Sequence, residues 1–143
     1  TGETITEHNR RTREIPPRYQ PLWIGLDFSE RSELYRRINL RVDIMIEQGL
    51  LEECRRLMEA GVFERSATAA QAIGYKELFP YLRGELPLES CVETLKMATR
   101  RYAKRQMTWF RMHGNVQWLD RDGETTDKEL LAMALEKIDS FMK

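Results

Sequence analysis

The chain has 143 residues, 23 Lys and Arg against 23 Asp and Glu, and a hydrophobic content of 41%. That length suits one domain able to bury a core, and the composition excludes a wholly disordered chain. No apolar run approaches the ~18–20 residues that a membrane-spanning helix needs. Cys54 and Cys91 lie far apart without metal-type spacing, so they read as reduced, half-buried helix residues of a cytoplasmic protein. With only His8 and His113 left as ligands, a zinc site is not expected. The start is polar, carries no signal-peptide pattern and lacks an initial Met, which hints at a processed or truncated chain.

Residues 1–21 are polar, with a break at Pro16 and Pro17 and a short helix or loop near residues 5–11. The apolar run 22–26, bounded by Pro21 and Asp27, has the length and flanks of a buried strand. Ser29 suits an N-cap, with Glu30 and Glu33 in the first turn of a helix over about 30–48 that Gly49 stops. A second helix over 50–60, ending at Gly61, presents Leu50, Cys54, Leu57 and Met58 on one side. Residues 62–67 read as a loop. Residues 71–82 read as a short helix weakened by Gly74 and Pro80, with Gly84 as its stop. Pro87 fits the first turn of a long helix over 88–112 that Gly114 closes. Residues 116–119 make a second short strand. The last helix, Asp127–Met142, would pack through Leu130, Leu131, Met133, Leu135, Ile138 and Phe141. The expectation is a mostly helical chain of about five helices and two short strands. Two strands alone are marginal and want partners.

Two features stand out. Residues 94–119 hold six Lys or Arg and no Asp or Glu. On a helix, Arg100, Lys104, Thr108 and Arg111 share one edge, with Arg101 and Arg105 beside it, while Leu88, Val92, Leu95, Tyr102 and Phe110 lie near the opposite side. Basic helix runs are usually solvated faces. This one lacks a compensating Glu one turn earlier and carries Gln106, Thr108 and Trp109. It therefore suits phosphate contacts and base stacking. The second feature is Arg41, which the ~100° helical step places amid the apolar face of Leu34, Ile38, Val42 and Met45, one turn after Arg37. An internal ion pair or a snorkelling side chain would explain it; so would an arginine gripping an anion in a cavity. No GxxxxGK[ST] or GxGxxG loop is present, and no nucleophile triad.

In order along the chain come Thr1-Gly2-x-Thr4-Ile5-Thr6, Arg41-Val42-Asp43-x-Met45, Gln71-Ala72-Ile73-Gly74-Tyr75-Lys76-Glu77, then Thr99 to Gln106 followed by Thr108-Trp109-Phe110-Arg111, and Trp118-Leu119. This set resembles the C-terminal half of bacterial tRNA dimethylallyltransferase (tRNA isopentenylpyrophosphate transferase), over essentially all 143 residues. The resemblance implies an α/β core similar to P-loop NTPases. It also implies transfer of a dimethylallyl group from its diphosphate to N6 of the adenosine 3′ to the anticodon. Arg41 would lie in the diphosphate channel. Gln71, Ala72, Ile73, Gly74, Tyr75 and Lys76 would contact the tRNA anticodon stem-loop, with Lys104, Arg105, Gln106, Met107, Thr108, Trp109, Phe110 and Arg111. Mg²⁺, the P-loop and the general base belong to the part of the family that precedes this chain, so the chain alone should not turn over. The full enzyme would be a monomer and the chain one domain. Tyr102 and Trp109 are candidates for base stacking, though a core position suits both better. A non-catalytic helical RNA-binding module is the alternative, and a structural domain whose basic helix meets an acidic protein is a third reading.

Overall fold

The computed structural model describes residues 2, 4–14, 16, 18–112, 115–122 and 125–143. Gly114 as a helix stop, Pro17 in the early break, His113 as a ligand and Thr1 in the first motif lie outside the described residues. The order is α1 (Ile5–Glu14), β1 (Trp23–Asp27), α2 (Arg31–Glu47), α3 (Leu50–Glu59), α4 (Val62–Arg65), α5 (Ala67–Ala70), α6 (Phe79–Leu82), α7 (Leu88–Met112), β2 (Val116–Asp120) and α8 (Asp127–Met142). The described residues thus form eight helices, not five. The difference lies in the short helices and in α1.

β1 and β2 pair in parallel, with Trp23 opposite Val116 and Asp27 opposite Asp120. Parallel pairing requires a crossover, and everything from α2 to α7 forms it. Gly25 is needed at the middle of β1: a Cβ there would sit 2.6 Å from Cζ3 of Trp118 and 2.8 Å from Cγ1 of Val116. The strand is not buried as its composition suggests. Trp23, Ile24 and Leu26 all keep more than a third of their surface exposed, because the only strand beside β1 among the described residues is β2.

The crossover is held by α2 packing along α7. Val42 and Leu95 are buried between them. Around that seam Lys96 pairs with Asp43 at 2.8 Å and Arg100 donates to Asn39 Oδ1 at 2.6 Å. A second core gathers Cys54, Phe63, Leu78 and Cys91, with Leu57, Met58 and Tyr75 packed around them. Both cysteines are free and fully buried rather than half-buried.

Several boundaries follow their sequence signals. Gly49 (φ +101°) and Gly61 (φ +64°) follow the C-caps of α2 and α3 in the left-handed region that glycine tolerates. Others do not. The N-cap of α2 is Glu30, not Ser29, and no side chain caps it; the Ser29 N–H is instead held by Asp122 Oδ1 at 2.9 Å. Residues 62–67 are not a loop: Val62–Arg65 forms α4, and Ser66 caps α5 by accepting the Ala69 N–H. Residues 71–78 are a chain of turns, and only Phe79–Leu82 is helical. Gly74 at φ +114° breaks any helix there. α8 has the expected span, but of its apolar residues only Leu130 is buried.

A cationic groove between the crossover helices and the 71–76 turn

The turn at 71–76 is set by a buried carboxylate. Glu77, only 7% exposed, accepts the Gly74 N–H at 2.9 Å, while the N–H groups of Tyr75 and Lys76 both point to the Ala72 carbonyl. Tyr75 then swings away from solvent. Its ring lies 5.5 Å from Phe63, and its hydroxyl donates to Glu53 Oε1 at 2.5 Å. That bond, with burial adding to it, raises the phenol above its ordinary value. Behind it the Cys54 thiol faces the Tyr75 carbonyl at 3.8 Å.

So braced, the turn forms one wall of an open groove of about 590 Å³. Gln71, Ile73, Gly74 and Lys76 line that wall, Arg41, Val42 and Met45 come from α2, and Leu95, Thr99, Tyr102 and Arg105 come from α7. Three stretches far apart in sequence thus meet. Arg41 is exposed and opens onto the groove instead of sitting inside an apolar face; among the described residues it has no ion-pair partner. Its neighbour Arg37 differs: it pairs with Glu33 at 2.8 Å and lies over the Phe28 ring at 5.0 Å. Arg36 grips the same carboxylate at 2.7 Å. Together the two guanidiniums hold Glu33 down at about 2.

The basic stripe of α7 is divided by its surroundings. Lys96 and Arg100 are occupied by Asp43, Glu93 and Asn39, and Arg111 Nη2 donates to Asp27 Oδ2 at 2.5 Å. The compensating groups that the helix itself lacks come largely from α2 and β1. Arg105 remains on the groove, its guanidinium 5.6 Å from the Tyr102 ring centroid. Tyr102 and Trp109 are both nearly half exposed, which corrects their reading as core residues. Trp109 stands edge-on to Phe110 at 4.9 Å, and Phe110 leans on Trp23 of β1. Gln106 is exposed. Lys104, Met107, Thr108 and Arg111 line a different, smaller cavity.

Of the expected site, then, Arg41, Gln71, Ile73, Gly74, Lys76 and Arg105 converge. Ala72 supplies carbonyl bonding, Tyr75 and Phe110 pack inward, and 104, 107, 108 and 111 face elsewhere. Thr99 is a lining residue that the sequence did not single out, and Tyr102, a stacking candidate from sequence, lines the groove as well. The lining of the groove has three cations and no carboxylate. It can hold a polyanion, with an exposed ring beside it for stacking.

Two parallel strands closed by a helical crossover, with an arginine- and lysine-lined groove between its helices and the 71–76 turn, define part of an α/β protein. Residues 1–113 match the family model described as IPP transferase, and the chain belongs to that family. It is 47% identical over 131 residues to a tRNA dimethylallyltransferase of Acetivibrio thermocellus, covering 92% of this chain and 41% of that protein. It superposes on a tRNA isopentenylpyrophosphate transferase of Staphylococcus epidermidis with TM-score 0.79 and 41% identity, over 93% of this chain and 42% of that one. A eukaryotic dimethylallyltransferase acting on tRNA is similar at TM-score 0.69 and 26% identity, over 94% and 37%. The chain therefore spans about two-fifths of the length of the relatives it matches.

Proposed function

We propose that this chain is the C-terminal portion of a tRNA-modifying prenyltransferase and supplies part of its tRNA surface and one channel arginine. The reaction moves a dimethylallyl group from its diphosphate to an adenosine amine beside the anticodon: the N6–carbon bond forms, the carbon–oxygen bond breaks, diphosphate leaves and N6 gives up a proton. The observation that carries the reading is the groove in which Arg41, Lys76 and Arg105 come together with Tyr102.

The chemistry suits those residues. Transfer builds negative charge on the departing diphosphate, and a preorganised guanidinium stabilises it. Arg41 has that role; it is not spent on an internal carboxylate, as Arg37 is. An adenine must leave its stack to present its amine, and the Tyr102 ring with Arg105 beside it offers a surface for the opened loop. Family resemblance implies Mg²⁺ as well. The groove lining contains no carboxylate, so these residues do not fit a magnesium site and no step is assigned to the metal on this chain. The groove lining has no carboxylate or histidine to serve as general base either. Work on tRNA suits a cytoplasmic protein, and no described helix is long and apolar enough to cross a membrane.

The test is binding of an anticodon stem-loop by the intact protein at several salt concentrations, together with single-turnover transfer. Arg105→Ala or Lys76→Ala should weaken RNA binding and lower the salt slope by about 0.7–0.9 for each phosphate no longer neutralised. Arg41→Ala should slow transfer about 10²–10³-fold, as loss of one stabilising donor does elsewhere. Unchanged turnover and diphosphate affinity in that variant would remove Arg41 from the channel.

A further inference from the structure

We propose that Glu53 and Glu77 are positioning residues for RNA binding, a role that rests on the tRNA-surface reading above. From behind the groove they hold the 71–76 turn in the shape that puts Lys76 on its wall. Neither carboxylate lines the groove itself. Glu77 acts through the Gly74 backbone, and Glu53 through the Tyr75 hydroxyl.

The turn's own hydrogen bonds are weak. The N–H groups of Tyr75 and Lys76 share the Ala72 carbonyl at 3.3 and 3.4 Å, long against the usual ~2.9 Å. Gly74 stands at φ +114° and is buried, so its N–H needs an acceptor within the protein. Glu77 Oε2 is that acceptor, at 2.9 Å, and a charged acceptor makes the stronger bond. Among the described residues Glu77 is the one buried charged side chain. A carboxylate so placed is costly unless donors satisfy it, and closing the turn is what this one does. Glu53 stands in the first turn of α3, 22 residues before Tyr75. Its carboxylate accepts the Tyr75 hydroxyl at 2.5 Å while Phe63 meets the ring. That bond raises the phenol above its ordinary value, so the hydroxyl stays a donor through neutral pH. Tyr75 is thereby fixed inward, and the next residue, Lys76, stands exposed on the groove side. With either brace gone, RNA must order the wall as it binds, which weakens binding without touching Arg41.

The experiment measures anticodon stem-loop binding and steady-state transfer by the intact protein, with amide exchange at Gly74 as a readout free of RNA. Tyr75→Phe keeps the ring on Phe63, and Glu53→Ala alters an exposed residue, so both variants should fold. Each should raise the KM for the stem-loop about three- to tenfold, the scale of one lost hydrogen bond. The loss should fall on KM rather than on kcat, and the double variant should be no weaker than either single. Glu77→Ala should speed Gly74 amide exchange and raise KM likewise. Glu77→Gln, whose amide oxygen still accepts an N–H, should restore both. In a Lys76→Ala background none of these changes should lower RNA affinity further. A lower thermal midpoint with KM unmoved in Tyr75→Phe and Glu53→Ala would overturn the positioning role. So would Glu77→Gln as impaired as Glu77→Ala. If Lys76→Ala itself leaves RNA binding intact, the groove reading falls and the positioning role with it. If Lys76→Ala weakens binding while the brace variants do not, the positioning role alone falls.

Discussion

Gly74 and Gly25 are both irreplaceable, for different reasons. At Gly74 nothing lies within 4 Å of where a Cβ would stand, yet φ is +114°, so Gly74→Ala is strained by backbone conformation alone and should cost about 1–3 kcal/mol. The urea midpoint would report it, and the turn that carries Lys76 would lose RNA affinity with it. At Gly25 the backbone is ordinary but the space is filled by Trp118 and Val116. Gly25→Ala should destabilise by about 1–3 kcal/mol through overpacking, with a change in the near-ultraviolet circular dichroism of Trp118. Cys54 gives a third residue-scale expectation. Burial, with the Glu53 charge adding, pushes its thiol up to about 11. A raised thiol favours the protonated native state, so its contribution is complete below the unfolded value near 9 and is lost as pH rises toward 11. Thiol reagents at pH 8 should therefore modify Cys54 only at the rate of local opening, which urea would accelerate.

At the scale of elements, α7 shows why a sequence stripe is not yet a site. Its periodicity places Arg100, Lys104, Thr108 and Arg111 on one edge, as expected, but α2 and β1 take Arg100 and Arg111 for their own packing and leave Lys104 and Arg105 on different faces. No local pattern encodes the position of Asn39 or Asp27 against that edge. α8 is the opposite case. Its bounds were legible, and the structure adds the pair that starts it: the Thr126 hydroxyl accepts the Glu129 N–H, and the Glu129 carboxylate accepts the Thr126 N–H at 2.7 Å. The same reciprocal pair, Thr4 with Glu7, starts α1, whose C-terminal end runs to Glu14, past the expected stretch. Thr126→Ala should cost about 0.5–2 kcal/mol. The Thr126 N–H, and next its hydroxyl, hold Glu129 below its ordinary value, so the stabilisation of α8 is complete above the unfolded carboxylate range and fades as pH falls beneath it. Helix content measured from pH 6 down to 3 should fall less steeply in Thr126→Ala than in wild type.

For the whole molecule, the balance of buried and exposed apolar surface is the telling feature. The core around Cys54, Phe63, Leu78 and Cys91 belongs to the crossover helices, and Leu78 is completely buried there. Leu78→Ala should cost about 2–5 kcal/mol by cavity formation, read as a lower thermal midpoint. The sheet end is different. Trp23, Ile24 and Leu26 of β1, with Leu131, Leu135 and Phe141 of α8, stay exposed, although their periodicity marks them as core. Alternation and composition state that a face is apolar; they do not state what covers it.

The sequence by itself determined the family, the places of β1, α2, α3, α7, β2 and α8, and the residue types for holding phosphate. Those follow from signals that act locally: caps, glycine stops, hydrophobic period and a specific run of motifs. Only the tertiary structure decided which cations are free. Arg111 is neutralised by Asp27, 84 residues away, and Arg100 is tied to the neutral Asn39 amide, 61 residues away, whereas Arg41, Lys76, Lys104 and Arg105 are left to face open space. Arg31 joined the smaller cavity beside Lys104 without any sequence signal, because an arginine at a helix start looks like surface until the opposing helix is in place. Pairing of charges depends on distance through space, and that distance is set by how α2 and α7 close over the strands.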